Sequence, residues 1–99
     1  MSSSPVPRPA PDGDSFTETI DGRLGSIRAE GHLTGRAADM VRGTVEVLRR
    51  SGHDRVVVDL REVRQVDDDG LRALRTLADG IRDDGGRLTL LHPPRPRQD

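Results

Sequence analysis

The sequence predicts an α/β fold in which helices pack on a small mixed β-sheet, with the element order β-β-α-β-α-β. Two observations predict it. Apolar residues alternate with polar ones in some segments and recur every three or four residues in others, and Gly, Asp and Ser mark the boundaries between segments. A length of 99 residues allows one domain, and a single aromatic residue, Phe16, requires a core of aliphatic side chains.

The first predicted unit is a β-hairpin over about residues 16–33. The segment FTETI alternates, and the Asp21–Gly22 pair after it is typical of a hairpin turn. In the segment that follows, residues 27, 29, 31 and 33 fall on one face and the polar residues 26, 28, 30 and 32 on the other. This alternation predicts a half-buried strand.

A helix is predicted over residues 35–50, where the period changes. Thr34 before it is a favourable N-cap, and Ser51–Gly52 ends it. The predicted buried stripe comprises Ala37, Met40, Val41, Thr44, Val45 and Leu48.

The second half of the chain predicts two more strands and one more helix. The nearly continuous apolar run RVVVDL at 55–60 indicates an interior strand, and the residues 61–69 indicate a polar connection. A second helix is predicted over 70–84, ended by Gly85–Gly86. The last strand is RLTLLH at 87–92.

The ends of the chain are predicted to lie outside the domain at 16–92. Residues 1–15 are rich in Pro and Ser and indicate a disordered arm, which is either a plain tail or a ligand for a proline-reading partner. Residues 93–99 form a Pro- and Arg-rich tail.

Composition argues against several functions. The chain has no Lys and no Cys, which excludes a Lys base, a thiolate nucleophile and a zinc–thiolate site. A net charge of −1 and the lack of Tyr and Trp argue against nucleic-acid binding. No apolar run approaches the ~20 residues that insertion into a membrane needs. We therefore expect a cytoplasmic protein without a cofactor.

The stretch VDDDGL at 66–71 places three consecutive acids before a helix. A metal site is not expected, because consecutive side chains point in different directions. Asp59 could join the three acids in a pocket like that of a phospho-accepting domain, but such a pocket needs a Lys and the chain has none. A catalytic site is not expected either, because the three histidines, His32, His53 and His92, lie on different elements. Helix capping explains one acid but not three.

Together with the element order, this stretch resembles the STAS domains (sulfate transporter and anti-sigma factor antagonist), and the resemblance covers about residues 16–92. Members typically show a strand ending in Asp-Leu, then Asp-Ser-Ser-Gly-Leu or Asp-Ser-Thr-Gly-Leu opening a helix, a Gly-rich turn and an Asn-Pro-like exit. The matching residues are Asp59–Leu60, Asp67, Gly70–Leu71, Gly85–Gly86 and His92–Pro93.

The resemblance implies a regulatory switch that this chain has altered. In the antagonists of anti-sigma factors, an anti-sigma kinase phosphorylates the first Ser of the motif, and the unmodified antagonist binds that kinase and releases a sigma factor. Asp68 stands at the phosphoacceptor position and Asp69 at the second hydroxyl position, so a Ser kinase has no acceptor there. Two hypotheses stay open: the acids mimic a phosphorylated state, or they serve a partner that evolved with them.

The resemblance therefore implies a protein-interaction module without enzymatic activity, whose partner is an anti-sigma kinase or another regulatory protein. One alternative is an accessory subunit of a transport ATPase or of a larger signalling assembly. Another is a small-molecule or metal-binding domain. The expected partner-binding residues are Thr34, Gly35, Asp67, Asp68, Asp69, Gly70, Leu71 and Arg72.

Two departures from the family pattern affect the expected surfaces. Members often carry Gly-Glu-Leu-Asp where this chain has residues 31–34, GHLT, so both acids are missing. Most members add a helix after the last strand, whereas this sequence ends at Asp99. We therefore expect an apolar sheet face near Leu88, Leu90 or Leu91 to be covered in a homodimer or by a partner.

Overall fold

The computed structural model describes residues 15–94, which form one four-stranded sheet and two helices. The strand order is β1-β2-β3-β4, with β1 antiparallel to β2 and the other neighbours parallel. This confirms the predicted fold class and element order. The elements are β1 Phe16–Asp21, β2 Ser26–Leu33, α1 Gly35–Arg50, β3 Arg55–Val66, α2 Asp68–Asp83 and β4 Arg87–Leu91.

The predictions for the two ends of the chain fall almost entirely outside the described residues. The arm predicted over 1–15 is described only at Ser15, and the tail predicted over 93–99 only at Pro93 and Pro94. The arm and the tail therefore stay predictions.

A single cluster of aliphatic side chains lies between one face of the sheet and both helices. Alternate strand residues such as Arg28 and Asp59 point to the other face. The largest fully buried side chains are Ile27, Leu33, Val41, Val45, Val56, Val58, Leu60 and Leu74. The core is therefore aliphatic, as the composition requires.

Strand β3 is twice as long as the predicted one, because it continues from Leu60 to Val66. The polar connection predicted over 61–69 is therefore wrong. The pairing of β3 with β2 contains two register shifts, and at each of them β3 carries an additional residue. As a result Leu60, Val63 and Val66 all contact the core at three-residue spacing. The alternation that normally reveals a strand is hidden by the bulges.

The two halves of β3 have different neighbours. Arg55 to Asp59 pair with β4 on one side, and Val57 to Asp59 also pair with β2 on the other. Residues 60–66 pair with β2 only, within the part of the chain that the structure describes. Among the described residues, the second half of β3 therefore has one free edge, and it leads to the end of the sheet where α2 begins.

Helix α1 has the predicted bounds and the predicted cap, since the Thr34 hydroxyl accepts a hydrogen bond from the Ala37 N–H at 3.0 Å. Its buried stripe differs from the predicted one at Met40, Thr44 and Ala38, and Thr44 is half-buried. Met40 is 49% exposed, and Ala38, absent from the predicted stripe, is 2% exposed. The reason is that α2 packs along the Ala38 flank of α1, which leaves Met40 on the opposite flank.

The β1–β2 loop is longer than the two-residue turn that Asp21–Gly22 indicates. The Asp21 carboxylate accepts hydrogen bonds from two loop N–H groups, at 3.0 and 3.1 Å, and closes the loop. Gly25, with φ +68°, has no room for a Cβ because His53 Nδ1 would lie 2.8 Å from it. His53 Nε2 donates to the carbonyl of Gly22 at 2.7 Å, so this histidine anchors the loop.

Candidate functional site

The candidate site lies at the carboxyl edge of β2 and β3, where both helices begin. Leu33 and Val66, the last residues of the two strands, are register partners. The Asp67 N–H donates to the Leu33 carbonyl at 2.9 Å and extends that pairing into the loop. Because parallel strands end at the same edge, the starts of α1 and α2 lie side by side.

Gly70 explains how closely the two helix starts approach each other. A Cβ at Gly70 would lie 2.6 Å from the Leu33 carbonyl oxygen and 2.9 Å from the Thr34 carbonyl oxygen. Both distances are shorter than van der Waals contact, so only glycine fits here. On the other side of the junction, a Cβ at Gly35 would lie 3.7 Å from the Asp69 Cβ. The glycine of the VDDDGL stretch therefore serves packing.

The three acids have different surroundings. Asp67 occupies the N-cap position of α2 but makes no side-chain capping bond. Its Oδ1 instead accepts a hydrogen bond from His32 Nε2 of β2 at 2.8 Å. Asp68 and Asp69 are exposed in the first turn, where the positive end of the helix dipole favours carboxylates. One acid thus bridges to β2, and two face outward.

The pairing of His32 with Asp67 was missed by the sequence analysis. The residues are 35 positions apart, and each motif was assessed separately. The sequence pattern gave no signal for it, because the predicted strand ended at Leu60, seven residues before Asp67.

All eight predicted partner-binding residues come together at this edge, but they do not share one role. Gly70 and Leu71 are buried, so they support the site without facing a partner. Thr34 is half-buried and its hydroxyl is used as the helix cap. The outward side chains are those of Asp67, Asp68, Asp69 and Arg72, beside the half-buried backbone of Gly35.

A groove of about 700 Å³ runs from this edge between α1 and α2. Asp69 and Arg72 line its near end, and Arg49 and Asp84 form an ion pair of 3.9 Å at its far end. Within residues 15–94, no group of three or more His, Asp or Glu side chains is placed to hold a metal ion. The arrangement offers a charged, open surface rather than an enclosed reaction chamber.

The other predicted site residues lie elsewhere. Asp59 is on the outer face of β3, about eight residues before Asp67 and thus roughly 20–25 Å away along the strand. Its Oδ1 accepts a hydrogen bond from the Arg61 N–H at 2.9 Å. The Asp59 carboxylate therefore does not join the three acids.

Fewer of the three leucines predicted to form an interface are exposed than expected. Leu88 is 7% exposed within the core, so it is not available to a partner, because this chain's own helices already cover it. Leu90 packs partly against the same core, whereas Leu91 is 40% exposed. Of the three leucines, Leu91 alone presents a large apolar surface.

Comparisons with known proteins agree with this architecture. A family model described as "Mlab, STAS domain" matches residues 16–98. The solved structure of the anti-sigma factor antagonist SpoIIAA in its unphosphorylated form is 15% identical, with a TM-score of 0.59 over 82% of this chain and 76% of that one. An antisigma-factor antagonist STAS domain from Rhodobacter sphaeroides is 20% identical, with a TM-score of 0.54 over 78% of this chain and 84% of that one. No curated protein matches. None of the helices within residues 15–94 is long and apolar enough to cross a membrane.

Proposed function

The chain belongs to the STAS domain family, and we propose that it acts as a non-enzymatic protein-interaction module of the anti-sigma factor antagonist type. It binds a cytoplasmic regulatory protein through the surface at the start of α2, formed by Asp67, Asp68, Asp69 and Arg72. The observation that carries the proposal is the exposure of Asp68 and Asp69 in the first helical turn. That turn is fixed against β2 because Gly70 packs on the Leu33 carbonyl.

The electrostatics of the first turn support a partner with cationic groups. Asp68 and Asp69 together bring a charge of about −2 at neutral pH, and a phosphoserine brings about −1.5 to −2. The charge is similar, but two flat carboxylates replace one tetrahedral group. Arg and Lys side chains of a partner recognise either arrangement through charge-assisted hydrogen bonds.

The proposal differs from a phosphorylation switch. SpoIIAA is an anti-sigma factor antagonist, and the SpoIIAA structure that resembles this chain is that of its unphosphorylated form. Between positions 67 and 72 this chain has no Ser, Thr or Tyr. We propose that its negative charge is permanent, so that affinity for the partner is set by the acids and not by a kinase.

The test identifies the partner first and then measures its affinity. A photo-crosslinking residue at position 69 of the full chain captures the bound protein in native cytosol, and mass spectrometry identifies it. Asp68→Arg should weaken binding of the purified partner at least tenfold, because like charges then face each other. Asp83→Arg is the matched control, since Asp83 is an exposed acid of the same helix roughly 22 Å away. Equal effects of the two substitutions, or no effect of Asp68→Arg, would contradict the proposal.

The identity of the captured protein separates two versions of this function. An anti-sigma kinase supports the antagonist type, and the Asp68→Ser, Asp69→Ser double variant should then become its phosphorylation substrate and change its affinity for it. A double variant that gains neither phosphorylation nor altered binding contradicts the phosphate-mimic hypothesis. Capture of a transport ATPase supports the accessory-subunit alternative, which the lack of a hydroxyl at positions 67–69 favours because such a partner needs no acceptor.

A further inference from the structure

An apolar surface lies on the side of the domain opposite the β4 edge. Within residues 15–94, three of the five exposed large hydrophobic side chains belong to it: Ile20 (50% exposed), Met40 (49%) and Val47 (59%). Glu18 of β1 and Thr44 of α1 join them, because the Thr44 hydroxyl donates to Glu18 Oε2 at 3.1 Å. Scattered exposed hydrophobics are ordinary, but a grouped set indicates an interface. We call these five residues the β1–α1 surface.

The backbone at this surface is an open sheet edge. Among residues 15–94, β1 is the first strand in the sheet order and pairs only with β2. The carbonyls of Ser15 and Asp21 accept hydrogen bonds from the β2 side, so odd-numbered residues of β1 direct their backbone groups toward β2. The N–H and C=O groups of Phe16, Glu18 and Ile20 therefore point to the free edge.

We propose that a second copy of this chain binds the β1–α1 surface, with the two β1 strands pairing antiparallel about a two-fold axis at Glu18. The register follows from the alternation: hydrogen-bonded partners across the axis must both be even-numbered, and pairing all three even-numbered residues 16, 18 and 20 places position 18 opposite itself. Phe16 of one copy lies opposite Ile20 of the other. The strands match a two-fold interface, in which the same surface is used twice.

Helix α1, whose Thr44 hydroxyl reaches Glu18 of β1, carries apolar side chains that fit the same axis. Met40 and Val47 are equally far in sequence from the point between Gly43 and Thr44, and the Thr44–Glu18 hydrogen bond sets that point level with Glu18. Met40 of one copy thus meets Val47 of the other. Gly43 is exposed and has no side chain to hold the helices apart.

Glu18 links this pairing to pH. The Glu18 Oε1 atom is buried and has no hydrogen-bond partner among the described residues. Burial raises the pKa of the Glu18 carboxyl above its ordinary 4.5, and the Thr44 hydrogen bond opposes this in part. On β2, the residue opposite Glu18 is Ala29. The charged residues on this flank of α1 are Arg36 and Arg50, which lie roughly 9–12 Å along the helix from Thr44. In the dimer the second Glu18 adds a like charge, so pairing favours the protonated carboxyl.

Sedimentation equilibrium of the full chain tests the dimer and its pH dependence. The dissociation constant should fall as pH decreases, by up to about tenfold per pH unit for each proton taken up. Glu18→Gln should strengthen the dimer at neutral pH and abolish this dependence. Met40→Asp should weaken it at least tenfold, while Leu91→Asp, an exposed leucine at the opposite sheet edge, should leave it unchanged. A monomer at both neutral and acidic pH up to about 1 mM, or equal effects of Met40→Asp and Leu91→Asp, would overturn the proposal.

A cysteine crosslink tests the register separately. The chain has no cysteine, so Glu18→Cys gives one thiol per copy. Directly opposite residues in a hydrogen-bonded pair have Cα atoms about 5.5 Å apart, within reach of a disulfide. Glu18→Cys should form a covalent dimer under mild oxidation, and Thr17→Cys, which lies opposite Thr19, should not. Equal crosslinking of the two variants would overturn the register.

Discussion

The substitution Gly70→Ala tests whether the junction of the two helix starts depends on a missing side chain. The added methyl group would lie 2.6 Å from the Leu33 carbonyl oxygen and 2.9 Å from the Thr34 carbonyl oxygen. Both atoms belong to the backbone at the end of β2, so neither can rotate away as a flexible side chain can. The methyl group fits only if α2 moves off the sheet.

The expected size of the effect follows from two opposing terms. Overpacking at a rigid contact costs about 1–3 kcal/mol, and the backbone contact places Gly70→Ala at the upper end. Alanine in a helix gains up to about 1 kcal/mol over glycine. We expect a net loss of about 2 kcal/mol, which lowers the melting temperature of a domain of this size by about 8–16 °C.

Gly80→Ala is the matched control for this measurement. Gly80 lies in the same helix, is exposed, and has no atom within 4 Å of the position of an added Cβ. The same substitution there should raise stability by about 0.5–1 kcal/mol. Urea unfolding followed by circular dichroism measures both variants. If Gly70→Ala is as stable as the unaltered chain, or is stabilised like Gly80→Ala, the steric argument for the glycine of VDDDGL is refuted.

Three further predictions concern Glu18, Thr34 and the His32–Asp67 pair. Because burial raises the pKa of Glu18, the folded state favours its protonated form. This contribution to stability is complete below pH 4.5 and is lost as pH rises through the higher folded-state pKa. Glu18→Gln should remove that loss, measured by urea unfolding of dilute protein at several pH values. Thr34→Ala should cost about 1 kcal/mol, because the Ala37 N–H loses its acceptor, whereas Thr34→Ser should not, and equal melting temperatures would contradict the cap. A double-mutant cycle of His32→Gln and Asp67→Asn should give a coupling of about 0.5–1.5 kcal/mol, the net range of one hydrogen bond, and additivity would show that the 2.8 Å contact adds no stability.

The sequence was informative where elements keep a regular period. The hairpin and α1 alternate or repeat cleanly, and their bounds agree closely with the structure. β3 was half predicted because its two bulges convert a period of two into a spacing of three at Leu60, Val63 and Val66. Met40 was misplaced for a different reason: which flank of α1 is buried depends on where α2 packs, and a single helix does not contain that information.

The motif located the candidate site in the sequence, but it did not predict the contacts between the residues of the site. The motif identifies which residues stand at the start of α2, and the structure brings them together. The reason for Gly70 is a carbonyl of Leu33, a residue 37 positions earlier in the chain. The bond from His32 to Asp67 likewise joins distant residues. Such contacts arise from the register of β2 and β3, which the interrupted pattern of β3 obscures.

The uneven neighbours of β3 have a consequence for local opening. Amide protons of Val57 to Asp59 lie in a strand segment flanked on both sides, whereas residues 60–66 have one open edge within residues 15–94. We expect hydrogen exchange to become faster along this single strand from Asp59 to Val66. The three acids are attached to the less protected half. We therefore expect the end of the domain that carries them to open and reclose while the middle of the same strand stays folded.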